Sequence, residues 1–171
     1  MARKSAQVET RMLSEYLLAE YPQYPHRQSV PLGVIDAGLQ AQVGYKAAVG
    51  YSRPYRPEVD GVVFLPGALV LVEAKVWNVI NGLAKLPLYN SLIPATPELK
   101  EYNHLPVIME LVVGGSNKNL EIMAAERGVR IRVYSPPWLA DVYAKMQSYW
   151  TADYQRERQR KLEVRKILGL E

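Results

Sequence analysis

The chain has 171 residues and 49% apolar content, enough for one domain with one sizeable core. It contains no Cys, which excludes disulfides, thiolate zinc sites and cysteine nucleophiles; its two His, His26 and His104, lie too far apart for a two-histidine helical metal motif. A formal net charge of +4, from 21 Lys and Arg against 17 Asp and Glu, suits a polyanionic partner without requiring one.

No apolar run reaches the roughly 18 residues that a membrane span needs. The opening MARKSAQVET has basic residues with no apolar stretch behind them, so no signal peptide is expected. Twelve Tyr stand against one Phe, a bias toward rings that tolerate partly wet surfaces and interfaces.

Residues 6–21 read as a helix. Placed at about 100° per residue, Val8, Met12, Leu13, Tyr16 and Leu17 form one apolar stripe. Thr10, Arg11, Ser14 and Glu15 fall opposite, and Glu9 falls on the apolar stripe itself. The helix ends before Tyr21-Pro22, because a residue preceding Pro avoids the helical region. From Pro22 to Pro57 the chain is broken by Pro and Gly; Gln28–Ile35 and Val43–Val49 are read as strands.

Val59–Leu65 and Leu69–Val76 are the clearest elements, two strands joined by Pro66-Gly67 and therefore an antiparallel hairpin. The second is apolar on both faces up to Glu73, as in a central buried strand. Residues 78–92 read as a helix that Pro87 should kink or end early. Leu105–Val113 is an apolar strand, 118–127 a helix closed by Gly128, and Arg130–Tyr134 a strand parallel to the previous one through a βαβ unit. After Pro136-Pro137 a helix begins near Trp138, with Leu139, Val142, Tyr143 and Met146 as its apolar stripe. The expected organisation is a domain over residues 1–150 and a basic helical extension over 151–171. In that extension Arg156, Arg158, Arg160, Lys161, Arg165 and Lys166 face only Glu157 and Glu163. The segment suits a phosphate backbone, and equally a solvated helix or an arm for a protein partner.

Chemistry concentrates on the hairpin. Residues two apart on a strand share a face, so Glu73 and Lys75 project together while Ala74 points away. Asp60 lies on the neighbouring strand, about 4.8 Å away, and approaches Glu73 if the register allows. Two carboxylates brought together repel unless a proton or cation lies between them, and a hard divalent ion such as Mg²⁺ or Mn²⁺ takes this kind of oxygen donor set. Glu9, misplaced on an apolar stripe, is a third acid able to reach the cluster, since breaks in local rules mark functional sites. The bland readings are a same-face Glu73–Lys75 ion pair, and a Glu9 paired with Arg53 or Arg56. A second Glu-x-Lys run, Glu98-Leu99-Lys100, lies between prolines in a polar stretch and reads as surface.

The run Arg56-Pro57-Glu58-Val59-Asp60, then twelve intervening residues, then Glu73-Ala74-Lys75, resembles the PD-(D/E)XK nuclease superfamily, with Pro57 three residues ahead of Asp60 rather than adjacent to it. The resemblance covers residues 6–135. It implies an α/β restriction endonuclease-like core, a mixed sheet flanked by helices, here followed by a charged C-terminal helix. It further implies a Mg²⁺-dependent DNA endonuclease, of the resolvase or phage nuclease kind. Asp60, Glu73 and the Ala74 carbonyl would hold the metal, Glu9 would complete the acidic set, and Lys75 would be the motif lysine. Lys85 and Tyr89 on the following helix, with Arg53 and Arg56, are the nucleic-acid contacts it suggests. A homodimer, and a cytoplasmic or virion location, are the corresponding expectations. The rival is a nuclease-fold binding or structural subunit of a phage particle or DNA-processing complex, because fold alone does not fix function.

Overall fold

In a computed structural model, which describes residues 2–147 and 152–168, the chain is α/β with a five-stranded mixed sheet flanked by helices. Side chains are described for 7–145 and 154–168. The elements in order are α1 (Ala2–Glu20), β1 (His26–Pro31), α2 (Ala37–Val43), α3 (Tyr45–Ser52), β2 (Glu58–Leu65) and β3 (Ala68–Lys75). There follow α4 (Val79–Leu92), β4 (Val107–Val113), α5 (Lys118–Glu126), β5 (Val129–Val133), α6 (Pro137–Gln147) and the charged C-terminal helix α7 (Ala152–Ile167). The chain divides into two compact units, residues 1–134 and 135–171. No helix among the described residues is long and apolar enough to cross a membrane.

Spatial strand order follows the sequence, β1-β2-β3-β4-β5. The first two pairings are antiparallel and the last two parallel, so β3 is both the centre of the sheet and the strand where pairing changes sense. The tight Leu65↔Ala68 closure confirms the turn at Pro66-Gly67, and the α5 connection makes β4 and β5 the parallel pair expected of a βαβ unit.

Two helices cover opposite faces. A Cβ built on Gly61 would meet Leu13 and Leu17 of α1 and Val72 of β3, whereas one on Gly82 of α4 would meet Glu73, Lys75 and Leu111. Val72 and Glu73 alternate in direction, so α1 lies on the Val72 face and α4 on the Glu73 face. The larger cluster, with Val62, Leu69, Leu71, Leu83, Leu86, Leu111 and Leu120, fills the space under α4 and α5.

The sequence reading needs correction in several places. Val43–Val49 is not a strand: α2 and α3 run through it, broken at Gly44 with φ +78. The strand expected over Gln28–Ile35 is β1, two residues earlier at its start and ending at Pro31, which has no N–H for a further ladder bond. Pro87 does not end α4, which continues to Leu92; Gly82, Leu83, Leu86 and Tyr89 bury one face across the proline, and packing outweighs the lost hydrogen bond. In α6 Leu139 is buried, while the side chain of Met146 lies outside the described residues.

Candidate active site at the end of β3

The β2–β3 pairs run from Leu65↔Ala68 to Gly61↔Val72, so Asp60 and Glu73 are the next opposed residues. The ladder stops just there. In place of a β2 carbonyl, the Ala74 amide donates to Asp60 Oδ2 at 3.0 Å. Ser29, which would oppose Asp60 from β1, has φ +54 and interrupts that ladder at the same level. Both neighbours of β3's hairpin partner thus release the backbone around Asp60, leaving its carboxylate free to turn toward Lys75.

Lys75 is the hub. Its Nζ lies 3.0 Å from Glu73 Oε1, 3.1 Å from Asp60 Oδ2 and 3.6 Å from Glu9 Oε2. Glu9 reaches the cluster from α1 and also accepts from the Val76 amide at 3.1 Å and the Trp77 amide at 3.4 Å, capping the end of β3. Lys85 of α4, partly exposed, stands 3.9 Å from Glu73 Oε1. Three carboxylates therefore meet two ammonium groups, and one negative charge is left over.

Glu73 carries the strain of this arrangement. It is 1% exposed, and its Oε2 is buried with no hydrogen-bond partner. Burial first, and then the Asp60 charge, push its carboxyl up to about 7 against the pull of Lys75 and Lys85. Burial alone would lower the Lys75 ammonium, but Glu73, Asp60 and Glu9 outweigh it and hold the group above the ordinary lysine range. Among the described residues no group of three or more acidic or histidine side chains is gathered as a ready metal site, and Lys75 Nζ occupies the space between the carboxylates.

The sequence-predicted residues separate into two sets. Asp60, Glu73, Lys75 and Glu9 come together, and Lys85 borders them. Ala74 is paired with Val112 of β4 and offers its amide to Asp60. Arg53 stays exposed, paired with Glu58 at 3.2 Å. Arg56 is not available to nucleic acid: it is buried, forks onto both oxygens of Glu98, and donates to the Leu32 and Pro31 carbonyls. That pairing also overturns the surface reading of Glu98-Leu99-Lys100, in which Leu99 is fully buried. It further removes the Glu9–Arg56 alternative, since Glu9 goes to Lys75. Tyr89, 5% exposed, belongs to the core and is no surface contact for phosphate. Burial, followed by the charges of Glu73 and Asp60, raises its phenol to about 12.

Two features escaped the sequence reading. Gly82 lets α4 approach so closely that a Cβ there would stand 2.6 Å from Lys75 Cγ and 3.4 Å from Glu73 Cγ. On the α1 face, Glu110 of β4 is wholly buried; it accepts from Tyr16 Oη at 2.9 Å, Tyr21 Oη at 2.8 Å and Arg132 Nε at 3.1 Å. Burial and the Glu110 carboxylate hold the Tyr16 phenol well above its ordinary range and lift Tyr21 to about 12. A lone acid inside the apolar run Val107–Val113 was the available signal, the same kind of break that singled out Glu9.

No family model and no curated protein matches the chain. Among solved structures it is similar to one titled "Crystal Structure of Protein of Unknown Function AF1548", at 11% identity and a TM-score of 0.47, over 75% of this chain. The match spans 59% of that longer chain.

Proposed function

We propose that this chain is a divalent-metal-dependent endonuclease of the PD-(D/E)XK kind that hydrolyses phosphodiester bonds in DNA. The observation that carries the reading is the meeting of Asp60, Glu73 and Lys75, with Glu9, at the end of the central strand. The residues fit a divalent cation by charge and by donor chemistry: one negative charge is unbalanced, all the acids are hard oxygen donors, and Glu73 Oε2 is buried without a partner. Asp60, Glu73 and the Ala74 carbonyl would hold the ion, with Glu9 completing the acidic set. When bound, Mg²⁺ supplies Lewis acidity toward a phosphate oxygen and acidifies water.

The chain's own groups do the rest. Lys75, a donor of three N–H bonds, orients water with whichever donors its carboxylates release and stabilises negative charge developing on the phosphate. Lys85, partly exposed beside Glu73, meets a phosphate as a point charge. Glu9 fixes the end of β3 through the Val76 and Trp77 amides, so the backbone next to Lys75 does not shift as charge is rearranged.

A second reading has one observation in its favour. Lys75 already pairs with all three carboxylates, as an idle site in a binding or structural subunit of a phage particle or DNA-processing complex would be built. Cleavage decides between them. Supercoiled plasmid, linear duplex, single strand and four-way junction are incubated with Mg²⁺, Mn²⁺ or EDTA, beside Glu73→Ala. Cutting that needs metal and disappears in the variant is the expected result. Folded wild-type protein that cuts none of them, with either metal, sinks the nuclease reading.

A further inference from the structure

Between β1 and β2 the chain leaves the sheet as α2, α3 and the 3-10 turn Arg53–Tyr55. This arm contributes little to the core: α2 has no buried residue, and α3 has only Ala48. Its rings face water instead, with Tyr45 52%, Tyr51 64% and Tyr55 89% exposed. Three exposed rings on one short segment with almost no buried side chain are open to a partner. From Ala37 to Pro57 there is no Asp or Glu, while Lys46 and Arg53 are exposed cations. The Arg53–Glu58 pair at 3.2 Å ties the end of the arm to the start of β2, two residues before Asp60. Aromatic rings interleaved with cations, flanked by Asp36 and Glu58 but with no acid between them, thus run directly into the strand that carries the site.

We propose that this arm holds unpaired bases of a nucleic-acid strand, stacked on Tyr45, Tyr51 and Tyr55, with Lys46 and Arg53 against the adjoining phosphates. The nuclease reading supplies only the choice of nucleic acid as partner. Every base offers a π-face, so such a platform is tolerant of sequence. In a duplex those faces are hidden in the stack, so the arm selects single-stranded, looped or junction regions. A second copy of the chain is the competing occupant, since exposed tyrosines also suit a protein interface. The stretch between Asp36 and Glu58, with exposed cations at Lys46 and Arg53 and no acid, favours the polyanion.

Binding is measured in EDTA on the full chain, by fluorescence anisotropy with a labelled single strand and with the matching duplex, and oligomeric state by light scattering. Wild type is compared with Tyr51→Ala/Tyr55→Ala and Tyr51→Phe/Tyr55→Phe, each checked for an unchanged circular dichroism spectrum. The wild type is expected to prefer the single strand. The alanine pair should weaken that binding by about 25-fold or more, from a loss of about fivefold per ring, and the phenylalanine pair should retain it. Equal single-strand affinity in wild type and the alanine pair overturns the proposal, as does absence of nucleic-acid binding by the wild type. A fall in oligomeric state with affinity unchanged overturns it in favour of self-association. No bond is cut in this assay, so a failure of the nuclease reading appears separately, as missing cleavage with binding intact.

Discussion

Glu73 is held on one oxygen by Lys75 and left unsatisfied on the other, and its proton affinity follows from that asymmetry. The carboxyl is raised from 4.5 to about 7, so between those values the folded chain binds a proton that the unfolded chain has released. The stability from this group is therefore full below the ordinary carboxylate range and is lost as pH rises through about 7. Asp60, Lys75, Lys85 and Tyr89 act on the group, and Asp60 opposes its ionisation while the two lysines favour it. Without metal, Glu73→Gln should flatten the decline and melt higher than wild type on the alkaline side. Mg²⁺ should raise the wild-type melting temperature more above pH 7 than below it, because a ligand carboxylate must be deprotonated. Thermal melts across pH, with and without Mg²⁺, check both; an equal Mg²⁺ shift on either side of the transition counts against Glu73 as the titrating ligand.

At the level of elements, the site depends on how closely α4 lies against β3. Gly82, in the first turn of α4, costs up to about 1 kcal/mol relative to Ala in propensity, yet it stands where a side chain would strike Lys75 Cγ and press on Leu111. Gly82→Ala should therefore fail to stabilise: overpacking of about 1–3 kcal/mol outweighs the helix gain. It should also displace Lys75 and so lower any metal-dependent cleavage. A melting temperature above wild type would show that α4 moves away at little cost. The hairpin was legible because Pro66-Gly67 and two apolar runs state its geometry locally, and the alternation on β3 placed Glu73 and Lys75 on one face. Arg56 was misread because its partner Glu98 is distant in sequence, and nothing near Arg56 announces a buried fork. Glu98-Leu99-Lys100 was misread for the same reason: prolines on both sides suggest surface, whereas Leu99 packs in the core. In Val43–Val49 the valines suggested a strand, but Gly44 and the alanines around Ala48 allow two short helices whose exposure no local pattern foretells.

On the scale of the whole molecule, charge is unevenly distributed. Six of the 21 cations and two of the 17 acids fall between Arg156 and Lys166, so the remaining 15 of each sign balance. Tyr154, Arg158, Lys161 and Arg165 lie along one stripe of α7, and Lys161 makes an exposed pair with Glu157 at 2.7 Å. Such a pair yields readily to a competing phosphate. Replacing Arg158, Lys161 and Arg165 with Gln should weaken binding to all DNA sequences alike and reduce the salt slope by about 0.9 for each phosphate no longer neutralised. Titrations at several salt concentrations measure the slope; an unchanged slope assigns α7 to another partner.

The position of β3 has a consequence for motion. It is paired on both edges and covered on both faces, so its amides should be among the last to exchange with deuterium, opening only when the unit as a whole unfolds. The arm between β1 and β2, with almost no buried side chain, should exchange early. A chain built this way holds Glu73 and Lys75 on the strand expected to exchange last and presents its exposed tyrosines on the segment expected to exchange first, so the two can differ in mobility without the geometry at the end of β3 changing.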